Sequence, residues 1–378
     1  MTPEDQQVLD DFCLTRNLTN INTIRNYKQA IRNYTKSQGL NLKELLEEAE
    51  EEEDNGTRLK HRTLKKRIIT FQNYLLHDKG LSRPTIEKQL GNIKTIYHHY
   101  EIQIPNIPSY NDNQIRDYEP IYYDDLPTTG LISEALKLSK PNMKAVILFI
   151  VSSGCAREET LGLTIQDFID ATQEYHNSTE ISDVLNELKE YEEPIIPTFK
   201  LKRRKTNQYY YTFCSPEAVD AIIFYLESRN DLLTNDKKLF KFDKTYFIRQ
   251  FNHLNEKLGG QKKGAYAIMR SHMLRKFHAS NLARGENALT IEEIDSLQGR
   301  GKTKVHTSYF LDDPQELKKK YIHNIDKVTI LDQVHTITID SPEVQKLKEK
   351  ADKIDELERL VKKILEKNGG MTQGTKGH

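Results

Sequence analysis

Ser271-His272-Met273-Leu274-Arg275-Lys276-Phe277-His278-Ala279-Ser280-Asn281-Leu282 is the stretch on which the reading of this chain turns. A helix through it sets His272 and Arg275 three residues apart, on one face. From Gln261 to Ser280 there is no acid, whereas Lys262, Lys263, Arg270, Arg275 and Lys276 all occur. Arginine, lysine and histidine gathered without a carboxylate suit the holding of an anion. A short loop follows, Gln298-Gly299-Arg300-Gly301-Lys302, and beyond it a tyrosine, Tyr309.

Upstream and downstream of this stretch the chain divides. Residues 1–101 read as helices only: Thr2-Pro3-Glu4-Asp5 is a helix start with proline in the first turn, and apolar residues recur at helical spacing over Thr57 to Leu76 and from Ser82 to about Tyr100. Four or five short helices make a small bundle. Residues 102–120, rich in proline and asparagine, read as a linker. Residues 121–325 mix helices with two β-type runs, Pro194–Phe199 and Gln208–Phe213, on either side of Arg203-Arg204-Lys205-Thr206-Asn207, which makes a hairpin with a basic tip. The polar stretch 171–193 reads as an insertion. Residues 326–367 form a C-terminal extension: a short strand at 336–339, then a helix over 342–367 in which Leu347, Ile354 and Val361 recur every seven residues. That stripe fits self-association or docking on a neighbouring subunit, and equally packing on its own domain. Residues 368–378 carry too little apolar content to order.

Composition narrows the functional classes. Lysine plus arginine equal aspartate plus glutamate at 56 each, so the net charge is zero, which by itself speaks against a nucleic-acid binder. The charge is segregated, however. Eight acids lie within 44–54, while Lys200, Lys202, Arg203, Arg204 and Lys205 stand together without an acid. It is the local basic surfaces that would meet phosphate. Cys13, Cys155 and Cys214 are far apart and form no C-x-x-C pair, which points to a reducing compartment and no structural zinc. The run Ala145–Val151 is too short for a membrane span and reads as a buried helix. The N-terminus lacks the basic and apolar regions of a secretory signal. No G-x-x-x-x-G-K-[ST] loop, H-E-x-x-H pair or clustered carboxylates suggest a nucleotide, zinc or two-metal site.

The pattern H-x-L-R, then roughly two dozen residues, then G-x and a tyrosine nine residues later resembles the tyrosine recombinase (phage integrase) family. The resemblance extends to Ser152-Ser153-Gly154-Cys155-Ala156-Arg157-Glu158-Glu159-Thr160-Leu161-Gly162-Leu163, where the arginine falls one place later than the family's, and to the basic hairpin. It implies a mainly α fold with a small antiparallel β component, built as a helical core-binding domain and an α+β catalytic domain that together clamp duplex DNA. It implies catalytic roles for Arg157, Lys205, His272, Arg275, Arg300 and Tyr309. Lys200 and Lys202 compete with Lys205 for the lysine role, and Tyr321 is the second choice of nucleophile. Arg300 stands where the family usually has histidine or tryptophan, and an arginine still donates to a phosphate oxygen. His278 reads as a packing residue or a phosphate neighbour. Lys202, Arg203, Arg204, Lys276, Lys302 and Lys304 are expected to contact the DNA backbone.

Each of these residue types has chemical work to do in breaking a phosphodiester without metal or other cofactor. Guanidiniums bind non-bridging oxygens bidentately and stay charged, a lysine protonates the leaving 5′-oxygen, and a tyrosine takes up the phosphate as a 3′-phosphotyrosine. The resemblance further implies four protomers on paired sites, a cytoplasmic, nucleoid-associated protein, no membrane partner, and accessory DNA-bending factors as possible partners. Two other functions use the same residues or part of them: a type IB topoisomerase, and a catalytically idle DNA-binding regulator.

Overall fold

The computed structural model describes residues 1–108, 120–205, 207–300 and 313–331. The chain falls into two compact units, Met1–Pro120 and Ile121–His378. Both are mainly helical, and the second adds two small antiparallel two-stranded sheets.

The first unit holds five α-helices among its described residues: α1 (Pro3–Thr15), α2 (Ile21–Gln38), α3 (Leu42–Asp54), α4 (Thr63–Asn73) and α5 (Arg83–His99). Their starts are written in side chains that accept the otherwise orphaned first-turn N–H groups. Thr2 and Asp5 form one capping box and Asn41 and Glu44 another, while Asn20 accepts from Asn22 and Thr23. Leu9, Phe12, Tyr34, Phe71 and Tyr97 fill the core. Two buried hydroxyls, of Tyr34 and Tyr97, satisfy each other at 2.9 Å.

The helix expected over Thr57 to Leu76 is broken in two. Leu59–His61 makes a 3-10 turn, and α4 starts afresh at Thr63. The cause is Glu52, whose carboxylate accepts from the Thr63 amide at 2.9 Å and from its hydroxyl at 2.5 Å, fixing a helix start there. Glu53 pairs with Arg62 and Glu48 with Arg67. Three of the eight acids, Glu48, Glu52 and Glu53, thereby bind the segment 58–67.

The second unit is wrapped around α7 (Pro141–Ser153), which is buried on every side from Ala145 to Ser153 and apolar throughout its middle. A helix of that kind has to lie at a centre. Around it pack α6 (Thr129–Lys137), α8 (Arg157–Thr160), α9 (Ile165–Ala171), α10 (Ile181–Glu190), α11 (Pro216–Glu227), α12 (Lys244–Lys257) and α13 (Ser271–Leu282). The strands β1 (Thr198–Arg203) and β2 (Gln208–Phe213) pair from Thr198↔Phe213 to Arg203↔Gln208. β3 (Lys262–Lys263) and β4 (Tyr266–Ala267) form a second, minimal hairpin ahead of α13. A smaller core joins Phe213, Leu282, Leu297 and Tyr321 where α14 (Ile291–Leu297) and α15 (Pro314–His323) close the unit.

The first strand, expected over Pro194–Phe199, instead starts at Thr198 and runs on through Arg203. Pro194 and Pro197 have no N–H to give to a ladder. The polar stretch 171–193, expected as an insertion, contains α10, which buries Ile181, Val184, Leu185 and Leu188 in the main core. At the far end Val328 and Ile330 are buried, and the Ile330 and Leu331 amides donate to the Glu217 carboxylate at 2.8 and 2.6 Å. The strand expected at 336–339, the heptad helix over 342–367 and the tail lie outside the described residues. Among the described residues no helix is long and apolar enough to cross a membrane.

Candidate active site

α13 is preceded by Arg270 at its N-cap, whose backbone is extended (φ −148°, ψ 154°) and whose side chain makes no capping bond. The first turn carries no acid, so the positive end of the helix is left uncompensated. Met273, Leu274 and Phe277 point into the core, and Arg275 is carried in with them to 5% exposure. A guanidinium held that deep needs acceptors for its N–H groups. Backbone supplies them. Nη2 donates to the Gln298 carbonyl at 2.7 Å, and Nη1 donates to the Gly154 carbonyl. Burial lowers the Arg275 pKa to about 10, and the side chain remains a cation at neutral pH.

Gly154 and Gly299 bring these carbonyls into place. Gly154 ends α7 in the left-handed region (φ 64°), and a Cβ there would stand 2.5 Å from His278 Nδ1 and 2.9 Å from Gln298 Nε2. Gly299 is also left-handed (φ 58°), and its Cβ would meet the Tyr210 ring at 2.5 Å. Only glycine fits either place. Gln298 is fully buried and ties the junction together: Nε2 lies 3.1 Å from the Arg275 carbonyl and 3.0 Å from His278 Nδ1.

A cleft of about 630 Å³ opens beside this junction, between α12, the β3–β4 hairpin and the start of α13. Phe247 and Phe251 line its apolar side, and Arg157, Arg270, His272 and Tyr266 its polar side. Asn255 shapes the hairpin wall by accepting from the Met269 amide at 2.8 Å and donating to the Gln261 carbonyl at 3.2 Å. Two guanidinium nitrogens on this wall, Arg157 Nε and Arg270 Nε, are buried with no hydrogen-bond acceptor among the described residues. The Arg270 guanidinium stacks on Tyr266, 4.2 Å from the ring centroid. His272 shows surface to solvent. Protein packed about its ring, and then Arg270, Lys276, Arg275 and Arg300, lower its pKa to about 4, so at neutral pH the imidazole is neutral.

The sequence-derived set is brought together in part. Arg157 and His272 share the cleft. Arg275 lies against the Gln298–Gly299 turn that leads into Arg300, and the charge of Arg300 bears on His272, His278 and Arg275. Lys205 and Arg204 are exposed on the β1–β2 turn, while Lys202 stands over the Tyr209 ring at 5.3 Å. Lys276 is half-buried. Arg203, expected among the DNA contacts, is half-buried, and its Nη1 donates to the carbonyls of Gln298 and Gly299 at 3.0 and 2.8 Å. Tyr309, Lys302 and Lys304 lie outside the described residues. Tyr321, the alternative nucleophile, is fully buried, and its hydroxyl donates to the Ser152 carbonyl at 2.9 Å. It is a core residue. Two carboxylates that the 261–280 stretch did not reveal also reach the site. Glu158 pairs with Arg157 at 3.1 Å and Lys244 at 2.9 Å, and Asp295 pairs with Arg300 at 3.1 Å.

Solved structures of recombinases and integrases are similar to this chain. One is the XerH site-specific recombinase bound to palindromic difH substrate in a post-cleavage complex, 16% identical, with a TM-score of 0.46 over 83% of this chain and 83% of the other. Another is the Tn1549 transposon integrase in complex with transposon right end DNA, 13% identical, TM-score 0.47, over 84% of this chain and 98% of the other. XerA recombinase is 18% identical with a TM-score of 0.34, over 85% and 98%. No family model and no curated protein matches the chain. Identity at this level leaves the chemistry to be read from the chain's own side chains.

The buried histidine makes the junction sensitive to acid. His278 is fully buried among cations, and burial, then Arg275 and Arg300, push its pKa down to about 3. The unfolded imidazole takes a proton near pH 6.5, the folded one only near 3. Between those values the unfolded state binds more protons, so stability is full above about pH 6.5 and falls as the pH drops. We expect the melting temperature of the protein to fall between pH 7 and 5, with a slope on the order of 1 kcal/mol per pH unit from this residue. His278→Gln should flatten that dependence. An unchanged slope in the variant would mean that other groups govern acid unfolding.

Proposed function

We propose that this protein is a site-specific DNA recombinase that breaks and rejoins strands through a covalent phosphotyrosine. The observation that carries the reading is the cleft wall that gathers Arg157, Arg270 and His272 around one cavity. Guanidiniums gathered on one wall suit an anion with several oxygens, as a phosphodiester has. Arg275, anchored from behind by two carbonyls, adds a third guanidinium close by, and Arg300 a fourth.

In this reading the Tyr309 hydroxyl attacks the phosphorus and forms a P–O bond while the P–O5′ bond breaks. Arg157, Arg275 and Arg300 stabilise the charge gathering on the non-bridging oxygens. His272, neutral before DNA arrives, is able to accept or donate a proton at the attacking side. Lys205 passes a proton to the departing 5′-oxygen, leaving a free 5′-hydroxyl. Rejoining is the reverse: a 5′-hydroxyl attacks the phosphotyrosine, and the proton returns to the lysine. The phosphodiester energy is kept in the phosphotyrosine, so ATP is not required, and the guanidiniums take the charge-stabilising place of a metal ion at the non-bridging oxygens. Lys202, Arg204, Lys276, Lys302 and Lys304 hold the duplex backbone. Strand exchange then takes place between paired sites held by four protomers of a cytoplasmic, nucleoid-associated enzyme.

The test begins with a pool of nicked duplexes of randomised sequence, in which cleavage releases a short fragment and traps the protein. DNA that stays with denatured protein is sequenced to give the preferred site. We expect a 3′-linked adduct that forms in excess chelator. Loss of the adduct on chelation, restored by magnesium, would overturn the metal-free mechanism, and absence of any adduct would leave a DNA-binding regulator. Adduct formation and plasmid relaxation without exchange between two selected sites would make the protein a topoisomerase.

A further inference from the structure

The pleat of β1 turns Phe199, Leu201 and Arg203 to one side and Lys200 and Lys202 to the other. Phe199 and Leu201 are buried, whereas Lys200 and Lys202 are exposed about the Tyr209 ring. Arg203 thus enters the domain on the face a charge ordinarily avoids. Backbone receives it, in the bonds from Nη1 to the carbonyls of Gln298 and Gly299. The Gln298 carbonyl also accepts from Arg275 at 2.7 Å, so one oxygen serves two guanidiniums. From β2, Tyr210 closes on Gly299 so tightly that no Cβ fits there. Both strands of the hairpin therefore grip the same turn. Two residues beyond Arg203 stands Lys205, and one residue beyond Gly299 stands Arg300.

We propose that Arg203 is a positioning residue for strand cleavage. Its guanidinium docks the hairpin tip that carries Lys205 against the Gln298–Gly299 turn that leads into Arg300, so that proton donor and phosphate-binding arginines meet one phosphate in register. The proposal rests on the reading of Lys205 as general acid given above. The physical reason is reach. Lysine ends in a mobile four-carbon stem, and the exposed turn that carries it has no ladder of its own. A displacement of about 1 Å at a reacting group costs on the order of a hundredfold in rate.

The experiment uses the full chain and the duplex sequence selected by the wild-type protein, made in two forms. One has the natural 5′-oxygen at the scissile bond, and the other has a bridging 5′-sulfur, which leaves without a proton donor. Arg203→Ala should cleave the oxygen substrate about a hundredfold slower than wild type and the sulfur substrate at close to the wild-type rate. Lys205→Ala should behave alike. Arg203→Lys, which still donates to a carbonyl, should recover part of the loss. The slope of log Kd against log salt should stay at the wild-type value for Arg203→Ala, and its melting temperature should remain above the assay temperature.

A slope reduced by about 1 would make Arg203 an ordinary phosphate contact and overturn the proposal. So would a defect of equal size on both substrates while sulfur rescues Lys205→Ala, and the function proposed above would then stand unharmed. Failure of sulfur to rescue either variant would remove Lys205 from the general-acid role and take the Arg203 proposal with it.

Discussion

A Tyr309→Phe protein should bind the selected duplex with wild-type affinity and form no covalent adduct with it. In the proposed mechanism the phenol oxygen becomes bonded to phosphorus, so its removal should abolish the first step, and the expected loss in cleavage rate is at least roughly a thousandfold. Affinity should hardly change, since the many backbone contacts that dominate duplex binding remain. The described structure sharpens this expectation by disposing of one rival. Tyr321 is sealed in the smaller core against Phe213, with its hydroxyl bonded to the Ser152 carbonyl. It cannot present an oxygen to DNA without unfolding α15. Tyr266 is a different matter, because it is 42% exposed and lines the cleft that also holds Arg157 and His272. An adduct that persists in Tyr309→Phe and disappears in Tyr266→Phe would move the nucleophile to the β3–β4 hairpin. Adduct peptides mapped by mass spectrometry distinguish the two directly.

How much of this was legible in the sequence varies with the kind of interaction. Helix starts were readable because a cap is a local matter: Thr2, Pro3 and Ser82-Arg83-Pro84 announce α1 and α5 within a few residues. The break before α4 was not, because the group that causes it is Glu52, on another helix and eleven residues away. The helix α10 was hidden by its polar positions; counting Ile181, Val184, Leu185 and Leu188 at helical spacing would have found it. At the site, His272 and Arg275 were legible because one helix turn sets their spacing. Glu158 was legible as the next residue to Arg157, but Asp295 was less so, because a charge count over 261–280 does not see a carboxylate carried in by α14. Arg203 is the most instructive case. Read as one of a basic cluster it belongs with the phosphate contacts, but alternation from Phe199 and Leu201 puts it on the inner face of β1. Strand period carried the information that charge count concealed. Gln298 gave no signal at all, since its role depends on a carbonyl and an amide meeting two residues distant in sequence.

Replacing Arg275 by lysine should lower the cleavage rate by about a hundredfold, the scale of losing one preorganised donor to transition-state charge. Lysine keeps the charge, so any loss reports geometry. The guanidinium places one N–H on the Gly154 carbonyl and another on the Gln298 carbonyl at once. Three of its five N–H groups then remain for other acceptors. An ammonium reaching one carbonyl withdraws a donor from the other: the Gln298 carbonyl keeps its bond from Arg203, whereas a Gly154 carbonyl left unsatisfied costs about 1–3 kcal/mol. Arg275→Lys should therefore melt earlier as well as cleave more slowly, and the two effects have to be separated. Rates measured well below the melting temperature of the variant, on single-turnover nicked duplex, do so. Duplex affinity should fall only severalfold, because one phosphate contact among many is lost. If Arg275→Lys cleaves at the wild-type rate once folded, its guanidinium serves only to pin Gly154 and Gln298. The phosphate would then be held by Arg157, Arg270 and Arg300. A loss in affinity as large as the loss in rate would mark Arg275 as a ground-state contact, since a group that binds substrate and transition state equally does not accelerate the step between them.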